Sequence, residues 1–363
     1  MPFLRSRWPV FVLAGCLLFL TANASAKDDL TAPLVEYFKS EDANQRQVLA
    51  ERIDGLIAGD FDRLERALLT LPLWEAIEPG ESTVTVPVKP GRPITVALRV
   101  PGDYDPRRAW PMIVALHGTN GKADEMRAFV ADLLGELAEQ FIIAAPQDLP
   151  GITFVDKEEV TAHPAKMLAF LRRHVHLDND RVFLTGYSLG GHGAWVTGAL
   201  YADHFAGVMP LAGSFYLPSR QYLWPLLVDN FRHTPVLACW GAEDVKGPDG
   251  KPSPTDGIAG ANQRLLRLLA IHDASLPILG VEDADRGHGG IRPPADKLQN
   301  LLHSRRARYP KHVNHWFRHP AQGSAYWMKL TRFRGRPWDG GRIILKDVIG
   351  KNPKKMTAEI IAG

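Results

Sequence analysis

Six short apolar runs recur through the middle of this chain: Met112–Leu116, Phe141–Ala145, Val182–Thr185, Gly207–Leu211, Val236–Trp240 and Ile278–Val281. Each is too short for a buried helix and, Thr185 apart, apolar, as a strand covered on both faces is. Between them lie stretches with apolar residues at helical spacing, about Lys122–Gln140, Pro164–His174, Gly190–Tyr201 and Gly260–His272. A strand that returns parallel to its predecessor needs a crossover of a dozen residues or more, and such crossovers are right-handed. The alternation therefore predicts an α/β fold, a mostly parallel central sheet with helices on both faces. Ahead of the series, Thr83–Val86 and Ile94–Val100 alternate about the turn Lys89-Pro90-Gly91-Arg92, which predicts an opening antiparallel pair.

The flanks differ from this core. From residue 30 to 78, Leu34, Val35 and Phe38, then Val48, Leu49, Ile53, Leu56 and Ile57, then Phe61, Leu64, Ala67 and Leu68 recur at helical spacing, and Glu78-Pro79-Gly80 ends the block. After about Leu302 the pattern is short, β-like and broken by Gly and Pro: Val313–Arg318, Ala325–Leu330, Arg342–Val348 and Thr357–Ile361. The expected organisation is a signal peptide over 1–26, a helical prefix over 27–80, a catalytic domain over 81–302 and a small basic β-rich appendage over 303–363.

The N-terminus has the pattern of a secretory signal. Arg5 and Arg7 precede the apolar run Trp8–Leu20, and Ala24-Ser25-Ala26 before Lys27 supplies small residues for cleavage. This predicts an exported protein, periplasmic or extracellular. Leu13-Ala14-Gly15-Cys16 allows a second reading, a lipid anchor on Cys16. Cleavage after Ala26 leaves Cys239 as the one cysteine, so no internal disulfide is expected.

Net charge is only +3, which gives no sign of a nucleic-acid partner. The charge is uneven, however. Residues 303–363 hold fourteen Lys and Arg against three Asp and Glu, a net of +11 that leaves −8 for the rest. Such a tail reads first as a solvated basic face, and it also suits an anionic polymer or envelope surface.

The sharpest chemical signal is Thr185-Gly186-Tyr187-Ser188-Leu189-Gly190-Gly191. It is a Gly-x-Ser-x-Gly segment directly after a strand-like run and directly before a helical one, which is the setting of a nucleophile elbow. The following helix would turn its free N–H groups toward charge developing on a substrate oxygen. A second N–H donor is expected from Leu116-His117-Gly118-Thr119-Asn120-Gly121, after the first central run. Gly118 or Thr119 is the candidate beside Leu189, and His117 is read as a brace for that loop. A serine hydroxyl needs a base, and the base an orienting acid. Gly241-Ala242-Glu243-Asp244 follows the fifth run, and Asp285-Arg286-Gly287-His288-Gly289-Gly290 follows the sixth. His288 is the candidate base and Asp244 the candidate acid, with Glu243, Asp283 and Asp285 as alternatives. Phe215, Tyr216, Tyr222 and Trp224 are candidates for a substrate pocket, or else pack an insertion. No paired-Cys or His-Glu-x-x-His pattern predicts a metal, and no phosphate-cradling glycine loop predicts a cofactor.

Residues Asp178–Trp195, centred on Gly186-Tyr187-Ser188-Leu189-Gly190-Gly191, resemble the elbow region of secreted α/β-hydrolase esterases. The feruloyl and acetylxylan esterases, the polyhydroxybutyrate depolymerases and the esterase-like relatives of prolyl oligopeptidases are the families concerned. The resemblance covers about residues 82–300. It implies the α/β-hydrolase fold, a triad of Ser188, Asp244 and His288, oxyanion donors at Leu189 and Thr119, and an ester substrate with a polysaccharide-linked or polyester acyl group. The helical prefix and the tail depart from the minimal pattern. A serine peptidase, and a non-catalytic envelope-binding protein that keeps the fold, are the competing readings.

Overall fold

In the computed structural model the described residues are 29–361, except 41, 70, 72–73, 75–76, 90–91, 148–161, 216–226, 247–250, 252, 254–256, 318–321, 330–340 and 346–357. The chain divides into two compact units, Met1–Leu71 and Pro72–Gly363.

The first unit is helical: α1 (Thr31–Lys39), α2 (Ala43–Ile57) and α3 (Phe61–Leu69). Asp42 caps α2 by accepting a hydrogen bond from the Asn44 N–H at 2.8 Å, and Ala58 closes it in a left-handed conformation (φ 47°). Leu49, Ile53 and Ile57, spaced four apart, form the buried stripe of α2.

The second unit is built on an eight-stranded sheet in the order β1-β2-β4-β3-β5-β6-β7-β8. The strands are β1 (Gly80–Lys89), β2 (Arg92–Val100), β3 (Trp110–Leu116), β4 (Ile142–Pro146), β5 (Leu177–Tyr187), β6 (Gly207–Leu211), β7 (Val236–Gly241) and β8 (Ile278–Asp283). β1 and β2 form the expected antiparallel pair, β2 is antiparallel to β4, and every later pairing is parallel. This is the α/β-hydrolase arrangement. The helices are α4 (Ala123–Leu134), α5 (His163–His174), α6 (Leu189–Leu200), α7 (Ile258–His272) and α8 (Ala295–Leu302).

Pleating sorts β3 onto two cores, as the period of two requires. Met112, Val114 and Leu116 pack with Trp195, Phe205 and Phe231, while Ile113 and Ala115 pack with Met126, Val130, Leu134 and Phe141. Register then fixes the site. Leu116 pairs with Gly186 and Gly186 with Pro210, Leu211 pairs with Cys239, and Gly241 with Asp283. The carboxyl ends of β3, β5, β6, β7 and β8 are thus level, and their loops open on one edge, where open α/β sheets bind ligands.

Two expected elements are broken. The helix predicted over Lys122–Gln140 stops at Leu134, because Gly135 takes φ 56°, and continues as a 3₁₀ turn over Gly135–Gln140. The strand predicted over Ala325–Leu330 is a small hairpin, β10 (Ser324–Ala325) with β11 (Met328–Lys329), folded back at Tyr326 with φ 57°. The tail also holds a three-stranded antiparallel sheet of β9 (Val313–Phe317), β12 (Gly341–Leu345) and β13 (Ala358–Ile361). Asn230 fastens it to the main sheet's core: its Oδ1 accepts from the Trp316 N–H and its Nδ2 donates to the Trp316 carbonyl, both at 2.7 Å. Part of the tail's positive charge is spent within the chain. Arg306 and Arg308 converge on buried Asp180 at 3.2 and 2.5 Å, and Arg305 lies 3.5 Å from Asp178. Among the described residues no helix is long and apolar enough to cross a membrane.

Candidate active site

The sharp turn at Ser188 follows from what surrounds it. β5 ends at Tyr187 and α6 begins at Leu189, leaving a single residue to reverse the chain. Ser188 does so at φ 57° and ψ −118°, a conformation that costs a non-glycine residue about 1–3 kcal/mol. Its N–H is held by the Leu211 carbonyl at 3.0 Å, and its own carbonyl accepts from the His192 N–H at 3.0 Å. The flanking glycines make the turn possible. A Cβ on Gly186 would lie 2.0 Å from the Gly190 carbonyl oxygen, and one on Gly190 would lie 2.0 Å from the Leu116 carbonyl oxygen.

Two loops from neighbouring strands bring the other groups to this hydroxyl. The Ala242 N–H bonds the Asp283 carbonyl and the Glu243 N–H bonds the Arg286 carbonyl, each at 2.9 Å, so the loop after β7 is zipped to the loop after β8. Asp244 is carried inward and is 6% exposed, whereas Glu243 faces solvent. The Asp244 carbonyl is anchored to α7 by the Ala259 N–H at 3.0 Å. The imidazole of His288 then bridges the two partners, with Nδ1 2.7 Å from Asp244 Oδ2 and Nε2 2.8 Å from Ser188 Oγ. The fallback acids serve their own turn: Asp283 accepts from the Asp285 N–H at 3.2 Å and lies 3.9 Å from Arg286.

The hydrogen bond that His288 donates to Asp244 raises the pKa of His288 above its ordinary 6.5, and burial of the ring and the charge of Lys246 oppose this. The sign has two consequences. A base must be neutral, so the acid limb of a pH–rate profile for kcat/KM should lie above pH 6.5. The ion pair's contribution to folding is fully present below that pH and is lost as pH rises through the folded-state pKa. An acid limb at or below 6.5 would contradict the bond between these two side chains.

The loop after β3 lies against the nucleophile. A Cβ on Gly118 would be 3.3 Å from Ser188 Cβ. The Gly118 carbonyl is turned into its own loop, 2.7 Å from His117 Nδ1 and 3.0 Å from the Gly121 N–H. A trans peptide points its N–H the opposite way, so the Thr119 amide faces out of that turn. Among the described residues neither the Thr119 nor the Leu189 N–H is bonded to another backbone carbonyl. His117 is a buried brace: Gln147 Nε2 meets its Nε2 at 2.9 Å and Gln147 Oε1 holds the Ala123 N–H at 2.9 Å. Gln147 was not legible as part of the site, since it lies 30 residues from His117 in the chain. His192 is a second support, its Nδ1 lying 3.0 Å from the Ser214 N–H and 2.7 Å from the Ser214 carbonyl, and burial lowers its pKa.

The pocket expectation changes at Phe215. Its ring is 6% exposed and stacks on Trp195 with centroids 5.3 Å apart, so it is a core ring and not a pocket wall. Tyr216, Tyr222 and Trp224 lie outside the described residues. No group of three or more His, Cys, Asp or Glu that could hold a metal ion occurs among the described residues. Cys239 is buried in β7, and that burial pushes its thiol pKa up to about 12.

No family model matches the chain. It is 29% identical to a poly(3-hydroxyalkanoate) depolymerase C of Paucimonas lemoignei over 176 residues, covering 42% of each chain, so it matches less than half of that relative's length. Among solved structures it is similar to a thermostable esterase, with TM-score 0.47 and 20% identity over 62% of this chain and 63% of that one. A ferulic acid esterase gives TM-score 0.46 and 16% identity over 58% and 92%. A poly(3-hydroxybutyrate) depolymerase from Bordetella parapertussis gives 0.45 and 19% over 62% and 94%.

Proposed function

We propose that this chain, which has the α/β-hydrolase fold, is an exported serine esterase that cleaves carboxylic esters through Ser188, His288 and Asp244. The observation that carries the reading is the unbroken chain Asp244–His288–Ser188, with spacings of 2.7 and 2.8 Å, ending on a serine held at positive φ. A structural serine has no need of that conformation or of a buried carboxylate behind its imidazole partner.

The chemistry proceeds by acyl transfer. His288 Nε2 takes the Ser188 proton as Oγ attacks the ester carbonyl. The oxyanion is received by the N–H groups of Leu189 and Thr119, and loss of one such donor costs about 10²–10³ in rate. His288, now charged and steadied by Asp244, returns the proton to the leaving alcohol. Water then enters, gives its proton to the same nitrogen, and releases the acid from Ser188. The acyl group we favour is a hydroxyalkanoate or a polysaccharide-linked aromatic acid. The relative from Paucimonas lemoignei supports the first, and the resemblance of the elbow region to feruloyl esterases supports the second. Export follows from the signal pattern over residues 1–26, and the basic tail is a candidate contact for an anionic polymer.

The test uses the exported protein, whose first residue should be Lys27. A fluorophosphonate probe should label it at Ser188 and should not label Ser188→Ala. It should be assayed on p-nitrophenyl acetate, hydroxybutyrate oligomers, a feruloyl ester and a peptide p-nitroanilide. Turnover of an ester with none of the anilide supports the reading. Labelling that persists in Ser188→Ala, or a preference for the anilide, overturns it.

A further inference from the structure

Tyr187 is the residue before the nucleophile, and its side chain reaches 101 positions along the chain to the loop that carries His288. Its hydroxyl donates to the His288 carbonyl at 2.7 Å and accepts from the Ile291 N–H at 3.2 Å. Those two backbone groups stand at positions i and i+3 of the tetrapeptide His288-Gly289-Gly290-Ile291. In a closed β-turn they bond to each other. Here no such bond forms, and the tyrosine hydroxyl stands between them. Gly290 supplies the positive φ, 71°, that a type II turn needs at its third residue.

We infer that Tyr187 is a positioning residue, which holds the turn at His288 open with its hydroxyl and so sets the imidazole at bonding distance from both Asp244 and Ser188. The inference rests on His288 being the base. The loop is tied at Arg286 to the Glu243 N–H before His288, and by buried Ile291 and the Arg292–Asp132 pair after it. From Gly287 to Pro294 it contains no helix or strand, and Gly287, Gly289 and Gly290 leave its backbone loosely specified. Tyr187 is itself fixed by Phe129, whose ring meets it edge-on with centroids 5.5 Å apart. Behind Phe129 stands Arg292, 5.8 Å above that ring and paired with Asp132 of α4. A hydroxyl bridging i and i+3 keeps the two groups farther apart than a direct bond would. Removing it leaves the part-buried Ile291 N–H without its partner and the exposed His288 carbonyl to water or to a direct bond across the turn, so the spacing that the hydroxyl sets is lost. Without the bridge the His288 backbone is no longer held where its ring meets both Asp244 and Ser188. Burial raises the Tyr187 pKa above 10.0, so the hydroxyl keeps its proton throughout the working range.

The experiment compares wild type with Tyr187→Phe by the pH dependence of fluorophosphonate labelling at Ser188 and of kcat and KM on a p-nitrophenyl ester. The other titratable groups around the turn are the same in both proteins: Asp244 and Lys246 on the β7 loop and His192 on α6 act with His288, and Arg286 on its own loop acts on Tyr187. We expect Tyr187→Phe to lower kcat by about 10–100-fold with KM changed less than threefold, an effect of the size that orientation of a catalytic group commands. The acid limb should move toward 6.5, because the bond that raises the His288 pKa is lengthened. Gly290→Ala, which strains the same turn without touching the hydroxyl, should move the limb the same way and serves if Tyr187→Phe does not fold. Tyr104→Phe is the control. It removes a hydroxyl that accepts from the His176 N–H at 3.1 Å, just before the opposite end of β5, and should leave the limb in place. An unmoved acid limb in both turn variants, or an equal shift in the control, overturns the positioning role. Absence of labelling in wild type overturns the esterase reading and this inference with it.

Discussion

Ser188→Ala and His288→Ala should each lower kcat on an activated ester by about 10⁶-fold, and the double variant should lose no more than either alone. The reason is geometric. The 2.8 Å contact between His288 Nε2 and Ser188 Oγ makes proton removal and nucleophilic attack a single event. With the hydroxyl gone there is nothing to deprotonate, and with the imidazole gone nothing takes the proton, so the second deletion removes a function already lost. What survives in all three is the residual help of the oxyanion donors and of binding, worth about 10³–10⁴ over water. Asp244→Asn should cost less, about 10⁴-fold, since it leaves the shape but reverses the hydrogen-bond preference at Nδ1 and so favours the wrong tautomer. It should also bring the acid limb down, as the bond that raises the His288 pKa is lost. Rapid-quench and steady-state kinetics on the purified variants check this. Multiplicative losses in the double variant would mean that the two side chains act in separate steps, and more than about 1% activity in Ser188→Ala would place the nucleophile elsewhere.

The parts of this site legible in the sequence are those dictated by local geometry. Gly186 and Gly190 are spaced by the elbow itself, so the pentapeptide announces Ser188. Asp244 and His288 each follow an apolar run that must be a strand, so their place at the carboxyl edge follows from the α/β alternation. What was hidden depends on side chains that reach across the chain. Gln147 braces His117 from the loop after β4, and Tyr187 enters the His288 turn from β5. Neither carries a spacing signal, and a tyrosine before a nucleophile reads as filler. Phe215 failed in the other direction. An aromatic in a glycine-flanked loop near the elbow resembles a pocket wall, yet Trp195 on α6 offers it a buried face to stack on. The choice between Asp244 and Glu243 is settled by burial, because the loop bonds of Glu243 to Arg286 and of Asp244 to Gly241 and Ala259 turn Asp244 inward. The broken helix over Lys122–Gln140 shows the same limit, since helical spacing continues across Gly135 although the backbone there does not.

Gly190→Ala should cost at least about 3 kcal/mol of folding free energy, measured by urea unfolding, and should take most of the esterase activity with it. The added Cβ would sit 2.0 Å from the Leu116 carbonyl oxygen, 2.5 Å from its carbon and 2.7 Å from the His117 carbonyl oxygen. All three are backbone atoms, so no side-chain rotation relieves the contact. Leu116 cannot withdraw either, because β3 is a central strand held on one side by β4 and on the other by β5, with Leu116 in register with Gly186. The start of α6 must therefore move, and Ser188 moves with it, since its carbonyl is tied to the His192 N–H of that helix. The same loop carries Gly118 against Ser188 Cβ, so one methyl group disturbs the fold, the nucleophile and the oxyanion loop together. Gly55→Ala provides the opposite case. Gly55 lies in α2 with nothing within 4 Å of its would-be Cβ, and there the substitution should stabilise by about 0.5–1 kcal/mol through helix propensity. A Gly190→Ala protein with an unchanged urea midpoint would mean that α6 does not approach β3 this closely, and the tight elbow on which Ser188 depends would not exist.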